Sequence, residues 1–382
     1  MSDFVVSGCD WRDCAAPGVR GLQPYLPGKP IEALRRELGL DEIVKLASNE
    51  NPLGPSPRAL AAAQVALGDI ARYPDGSGYA LKQALGRHHD VAPDWVTLGN
   101  GSNDVLEMVA RAFLAGPATA GAYAAHAFAV YAIAVQAVGA RSQVAPALPA
   151  DHPTMPFGHD LTALRRSLDD TTRVVFIANP NNPTGTWVEA DALHGFLRSV
   201  PGNVIVVVDE AYLEYVEDAA FPDASRWLSE FPNLVVTRTF SKIYGLAGLR
   251  IGYALSRPEV ADLLNRVRQP FNVNMPALVA AEAALTDGDH LARSRAVNSA
   301  GMGQLRAGFE RMGLRALPSR GNFLCVDLNR VAQPVFDALL SRGIIVRPVG
   351  NYGMPTFLRV SIGTAAENAR CLAALAEVMR GD

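Results

Sequence analysis

The sequence contains very little lysine, which makes each of its lysines informative. Only four occur (Lys29, Lys45, Lys82 and Lys242), so arginine supplies nearly all of the 35 basic residues. Lys242 lies between a strand-like run and a glycine-rich turn. A buried lysine loses its proton easily and becomes an amine nucleophile. Lys242 is therefore the first candidate for catalytic chemistry.

Cysteine is also scarce, and its spacing excludes two kinds of site. The four cysteines, Cys9, Cys14, Cys325 and Cys371, fit neither a zinc site nor a CxxC redox motif. We expect reduced thiols in a cytoplasmic protein. No apolar run is long enough to span a bilayer, and the N-terminus lacks the pattern of a signal peptide. We therefore expect no association with membranes.

Charge of one sign does not accumulate anywhere in the chain. The formal net charge is −3 and the basic residues are scattered, so nothing indicates nucleic-acid binding. With 382 residues, of which 49% are hydrophobic, the chain is typical of a globular enzyme with two domains or lobes.

The middle of the chain alternates strand and helix patterns. The run 204–208 is continuously apolar and β-branched, which is typical of a central strand covered on both faces. Strands separated by helices predict an α/β fold with a mostly parallel sheet flanked by helices. The other predicted strands are 95–98, 174–177, 234–237, 251–254, 323–327 and 358–362.

We expect three parts. Residues 1–45 form an N-terminal arm that contributes to the small domain and to a dimer. Residues 46–275 form the large, cofactor-binding domain, and residues 276–382 form a smaller α+β domain.

Polar motifs follow several of these strands, where ligands bind in open α/β sheets. Gly99-Asn100-Gly101-Ser102-Asn103 could hold an anion at a helix N-terminus, although by itself the motif favours an ordinary strand-to-helix turn. Asn179 to Gly185 forms a loop rich in asparagine and proline, with an amide that can donate a hydrogen bond.

Asp209 follows the most apolar strand and must find a cation or a donor, because burying an unpaired carboxylate is costly. A protonated ring nitrogen would serve, and the hydroxyl of Tyr212 could reach the same ligand. A structural salt bridge and a metal-binding aspartate remain alternatives, but the chain has no P-loop.

These motifs together supply an amine, an acid for a pyridine nitrogen, donors for a phenolic oxygen and a cradle for a phosphate. Arg250, eight residues after Lys242, suits that phosphate. Pyridoxal phosphate is the cofactor that has all of these groups.

At these residues the chain resembles the fold-type I pyridoxal-phosphate aminotransferases, and among them it closely resembles the histidinol-phosphate aminotransferases. The resemblance covers nearly the whole length. It includes the segments 46–52, 72–75, 99–102, 181–185, 209–212, 241–250 and 358–364.

The resemblance implies a role for each matching residue. Lys242 would form the Schiff base and move the proton, Asp209 would pair with the ring nitrogen, and Asn182 and Tyr212 would bond the phenolic oxygen. The other implied cofactor contacts are Gly101, Ser102, Asn103, Ser241 and Arg250 at the phosphate, Phe128 against the ring, and Tyr73 from the second subunit of a homodimer. The implied substrate contacts are Arg359, Asn182 and, as weaker candidates, Arg347 and Tyr25.

The chain departs from the family pattern at two positions. It has Ala127-Phe128 where many relatives carry Pro-Thr-Tyr, and Asn103 where an acidic residue is common. His126 is expected to be a structural or rim residue rather than a base.

The implied reaction is a transamination of histidine biosynthesis. It converts L-histidinol phosphate and 2-oxoglutarate to imidazole-acetol phosphate and L-glutamate, and the reverse. Three alternatives stay open. They are an aromatic amino-acid aminotransferase, a pyridoxal-phosphate-dependent decarboxylase of a phosphorylated amino acid, and a catalytically silent regulator.

Overall fold

The computed structural model of the chain describes residues 10–25 and 27–381; Cys9 and the start of the arm lie outside them. A seven-stranded sheet forms the centre, in the order β2-β8-β7-β6-β5-β3-β4. Six of its strands run in one direction and β8 runs in the opposite direction. This confirms the mostly parallel sheet. Its strands are β2 (Val96–Gly99), β3 (Ala120–Ala124), β4 (Arg141–Ala145), β5 (Thr172–Ala178), β6 (Ile205–Asp209), β7 (Leu234–Thr239) and β8 (Gly252–Ser256).

Helices cover both faces of this sheet because its central strands are apolar on both sides. In β6, Val206 and Val208 pack into one hydrophobic cluster, whereas Ile205 and Val207 pack into the other. The helices before and among these strands are α1 (Trp11–Cys14), α2 (Pro17–Arg20), α3 (Ile31–Leu38), α4 (Pro57–Ala66), α5 (Tyr79–His89), α6 (Ser102–Phe113), α7 (Ala129–Ala137), α8 (Leu161–Arg166), α9 (Ala190–Ser199) and α10 (Pro258–Val267).

A second, smaller body follows. Its antiparallel sheet has the order β12-β13-β10-β9, and β1 (Val44–Lys45) pairs in parallel with β11. Its elements and the helix before them are α11 (Met275–Leu285), α12 (Gly288–Arg311), β9 (Arg315–Ala316), β10 (Phe323–Asp327), α13 (Ala332–Leu340), β11 (Ile344–Ile345), β12 (Arg347–Pro348), β13 (Phe357–Ser361) and α14 (Ala365–Arg380).

The packing favours a later domain boundary than residue 275. Helix α11 contacts α4 and α5, and its alanines belong to the core of the large sheet. Helix α12 contacts α14 and β10 instead. We propose that the boundary lies between α11 and α12, near Asp287. Leu34 of α3 clusters with Ile345, and we propose on this contact that the arm belongs with the small domain.

A buried ion pair joins β6 and β7 immediately beyond their last register pair, Asp209 with Thr237. The Arg238 guanidinium lies 2.8 Å from one oxygen of the Glu210 carboxylate, whose other oxygen accepts from the backbone of Ala224. Arg238 also pairs with Asp223 at 2.5 Å. Burial raises the pKa of Glu210 to about 7, although the adjacent guanidinium opposes this shift.

Replacing Arg238 with methionine should lower the free energy of unfolding by about 3–5 kcal/mol, because it leaves a buried carboxylate without its cation. Denaturant unfolding of the single variant and of the Arg238→Met/Glu210→Gln double variant checks this. We expect the double variant to recover part of the loss; a double variant that is no more stable than the single one would contradict the explanation.

Candidate active site

A cavity of about 250 Å³ lies at the carboxyl ends of the parallel strands, between the two domains. It brings together most of the residues that the sequence singled out. Those lining it are Tyr25, Ser102, Asn103, Phe128, Asn182, Asp209, Tyr212, Ser241, Lys242, Arg250, Arg347 and Arg359. Two predicted residues do not line it, namely Gly101 and Tyr73.

Lys242 presents its amine to this cavity from the loop after β7. The Nζ atom donates to the carbonyl of Ser48 at 3.1 Å and lies 5.7 Å from the centre of the Tyr212 ring. Burial, followed by the nearby charge of Arg359, lowers the pKa of Lys242 to about 8. The amine therefore becomes a nucleophile at a lower pH than an ordinary lysine.

Asp209 ends β6 with a buried carboxylate. Tyr131 donates to its Oδ2 and Thr237 to its Oδ1, both at 2.9 Å. Burial raises the pKa of Asp209, while these hydroxyls and the charge of Lys242 oppose the shift. The two hydroxyls fix the carboxylate but bring no positive charge, so the group suits a cationic ligand atom.

The part of the cavity that suits a phosphate is formed by the N-terminus of α6 and by the guanidinium of Arg250. Gly101 has a φ of +80° and caps α6, whose first residue is Ser102. A Cβ at Gly101 would collide with the guanidinium of Arg250, so only glycine permits this approach. Arg250 in turn donates to the hydroxyl of Ser241 at 3.4 Å. A helix N-terminus beside a guanidinium is a site for an anion.

Donors suited to a phenolic oxygen lie across the cavity. The Tyr212 hydroxyl accepts from Asn49 at 2.9 Å, which leaves its own proton free to donate. The oxygen of Asn182 accepts from Arg359 at 2.5 Å, so the amide nitrogen is the group that can donate. Burial raises the pKa of Tyr212 to about 12, which keeps the hydroxyl protonated.

The small domain contributes a buried cation to the cavity, the guanidinium of Arg359. Its side chain is held by Asn182 and by the carbonyl of Ala47, yet its buried Nε has no partner within the described residues. Arg347 stands opposite it in the register of β12 and β13, and its guanidinium lies 5.9 Å from the Tyr25 ring. The pair is suited to a substrate anion.

Tyr73 lies outside this cavity, on the surface. It is 80% exposed and stacks on Phe271 with ring centres 4.6 Å apart. Within the described chain it therefore does not contribute to the cavity.

Three further residues hold the site and were not singled out from the sequence. They are Tyr131 and Thr237, which fix Asp209, and Asn49, which fixes Tyr212. Tyr131 lies three residues after Phe128 in α7, and Thr237 is the register partner of Asp209. The spacing of Tyr131 and the strand pairing of Thr237 were signals that could have identified them.

The sequence matches the family model for aminotransferase class I and II over residues 41–375. The chain belongs to this family. It is an enzyme of the aminotransferase type, and the family depends on pyridoxal phosphate.

Named relatives are similar over almost their entire length. Histidinol-phosphate aminotransferase 2 of Pseudomonas fluorescens is 59% identical, with 97% of this chain and 98% of the relative covered. The enzyme of the same name from Pseudomonas aeruginosa is 57% identical, with 100% of each covered. The crystal structure of histidinol-phosphate aminotransferase from Sinorhizobium meliloti with pyridoxal-5'-phosphate superposes with a TM-score of 0.87 at 31% identity, covering 96% of this chain and 98% of that one.

In the described part of the chain, no helix combines the length and the apolar character needed to cross a membrane. No group of three histidine, cysteine or acidic side chains is arranged there to hold a metal ion.

The lowered pKa of Lys242 can be measured directly, because so few lysines compete. In the protein freed of cofactor, the rate at which a trace acylating reagent labels Lys242 should rise with pH through about 8 and then level off, since the amine is deprotonated above its pKa. Peptide mass spectrometry follows each lysine separately. In Arg359→Gln the midpoint should move to higher pH; a wild-type midpoint near 10.5, the ordinary lysine value, would contradict the prediction.

Proposed function

We propose that this chain is a pyridoxal-phosphate-dependent aminotransferase of histidine biosynthesis. It interconverts L-histidinol phosphate and 2-oxoglutarate with imidazole-acetol phosphate and L-glutamate. The observation that carries the chemistry is that the Lys242 amine shares one cavity with the buried carboxylate of Asp209. The names of relatives 57–59% identical over nearly the whole chain support the substrate assignment.

The residues present fit the cofactor group by group. Gly101, Ser102, Asn103, Ser241 and Arg250 would hold its phosphate, and Phe128 would lie against its ring. Asn182 and Tyr212 would donate to the phenolic oxygen. The bound cofactor supplies an electron sink for the charge released when a Cα–H bond breaks.

The chain's own residues then do the proton chemistry. The Lys242 amine, with its lowered pKa, would accept the proton from the substrate Cα and deliver it to C4′ of the cofactor. Asp209 would keep a proton on the ring nitrogen of the cofactor, because a buried carboxylate stabilises an adjacent cation. Tyr131 and Thr237 keep that carboxylate pointed at its ligand.

The cavity also suits both substrate pairs electrostatically. Four cations, Lys242, Arg250, Arg347 and Arg359, face it against the carboxylates of Asp209 and Glu50. Arg359, with its unpartnered Nε, would bind either a glutamate carboxylate or the substrate phosphate. One guanidinium can therefore serve two unlike substrates in a ping-pong reaction.

We further propose that the enzyme works as a homodimer in the cytoplasm. Val65, Ile70, Tyr73 and Tyr79 expose from 66% to 80% of their surface along one stretch of the large domain. Such a surface favours a protein partner. A second copy placed there would bring Tyr73 to its neighbour's phosphate site.

Replacing Lys242 with alanine should reduce transamination by about 10³-fold or more, because it removes both the covalent link and the proton carrier. Lys242→Arg keeps the charge and should be equally impaired. Borohydride reduction followed by peptide mapping should find the pyridoxyl group on Lys242 in the wild type. Near-normal rates in either variant, or an adduct only elsewhere, would refute the mechanism.

Substrate preference separates the proposal from its nearest alternative. We expect kcat/KM for L-histidinol phosphate to exceed that for L-phenylalanine by about 10²-fold. A dianionic phosphate can bond both Arg347 and Arg359, whereas the single carboxylate of phenylalanine serves one of them, and one such charged pair is worth roughly 3 kcal/mol. Assays with the same 2-oxoglutarate concentration check this. A preference for phenylalanine would assign the chain to the aromatic aminotransferases, and carbon dioxide release without 2-oxoglutarate would assign it to the decarboxylases.

A further inference from the structure

His126 lies where the large domain meets the small one, in the turn between β3 and α7. Its backbone is left-handed, with a φ of +58°. The turn leads directly to Phe128 and Tyr131, so the position of His126 sets where α7 begins.

Two hydrogen bonds tie His126 to different parts of the active site. Its Nδ1 lies 2.5 Å from the backbone carbonyl of Tyr352, in the turn between β12 and β13. Because a carbonyl can only accept, Nδ1 carries the proton. The carbonyl of His126 itself accepts from the side chain of Asn181 at 3.0 Å.

The ring is also enclosed on the small-domain side. It packs edge-on against Phe157 with centres 5.3 Å apart, and Phe157 packs in the same way against Phe357 at the start of β13. Gly353 lies beside the imidazole with a φ of +75°, which favours glycine; a Cβ there would make an ordinary contact with the ring at 3.5 Å.

These contacts connect four candidate site residues through one residue, by its ring on one side and by its backbone on the other. Phe128 lies two residues after His126, and Asn182 follows its partner Asn181. Arg347 and Arg359 belong to β12 and β13, the strands that flank the turn bonded by the ring. His126 itself does not line the active-site cavity, so it acts on these residues from outside.

We propose that His126 is a positioning residue for the reaction: it clips the small-domain hairpin that bears the substrate arginines to the loop that bears Phe128. The inference rests on the proposed function for its substrates, but the clip itself is a property of the fold. It holds the arginines at a fixed distance from Lys242 in the closed enzyme, as domain closure over a substrate requires.

The left-handed backbone provides a matched pair of variants. Asparagine and aspartate both tolerate positive φ and have the same shape, but only asparagine can donate to the Tyr352 carbonyl. His126→Gly tolerates the backbone, lacks the donor and adds no charge. It therefore separates loss of the bond from an effect of the aspartate charge.

In the holoenzyme, His126→Asp and His126→Gly should raise KM for both glutamate and histidinol phosphate about tenfold, the effect of one lost hydrogen bond. We expect kcat to change much less and the visible absorbance of the bound cofactor to stay as in the wild type. His126→Asn should stay within about threefold of the wild type. Equal KM values in the asparagine and aspartate variants would overturn the proposal.

Hydrogen exchange gives a readout that does not depend on the substrate. Amides of residues 349–357 should exchange faster in the aspartate and glycine variants than in the wild type or the asparagine variant. If that order holds but histidinol phosphate is not a substrate, the proposed function fails and the clip stands. If the segment exchanges equally in all four proteins, the clip is wrong whatever the substrate.

Discussion

The rest of the site depends on one buried carboxylate at the end of the most apolar strand. Asp209 is 5% exposed and is held by two neutral hydroxyls. Desolvation raises its pKa, so its charge is stable only beside a positive group. Lys242 supplies part of that charge, and a protonated ring nitrogen would supply more. The same carboxylate raises the pKa of the lysine, while burial and Arg359 lower it to about 8. Neither group can be understood without the other.

The Arg238–Glu210 ion pair, on the opposite face of the sheet, also helps to fix the position of Asp209. Asp209 and Glu210 are consecutive, and so are Thr237 and Arg238, so the alternation of a strand directs one pair into the cavity and the other into the core. The Arg238–Glu210 bond closes β6 and β7 at the point where the ladder stops. It is costly to bury, but it fixes the strand ends from which Asp209 and Thr237 project. The ion pair in the core therefore stabilises the geometry of the side chains that face the cavity.

Much of this could be predicted because the chemistry lies at strand ends. The apolar runs 174–178, 204–208 and 234–236 mark three neighbouring strands, and the polar motifs follow them closely. Strands β3 and β4 were not predicted, because Ala120–Ala124 consists mainly of alanine and glycine and Arg141–Ala145 is a polar edge strand. Contacts such as Asn49 with Tyr212 join positions 163 apart in the chain, and no local pattern encodes such a pairing.

The division between the two domains explains why the sequence identifies the cofactor groups more readily than the substrate groups. The predicted cofactor residues all come from the large domain, where parallel strands converge at one edge. The arginines come from an antiparallel hairpin whose distance from Lys242 depends on how the domains pack. Arg359 reaches the cavity only because Asn182 and Ala47, both outside that hairpin, accept its hydrogen bonds. Its remaining Nε has no partner in the described chain. An arginine that is 5% exposed and still carries an unpaired donor is suited to an anionic ligand, and it lies where the two domains meet. Specificity in this enzyme is therefore a property of domain packing as much as of side-chain identity.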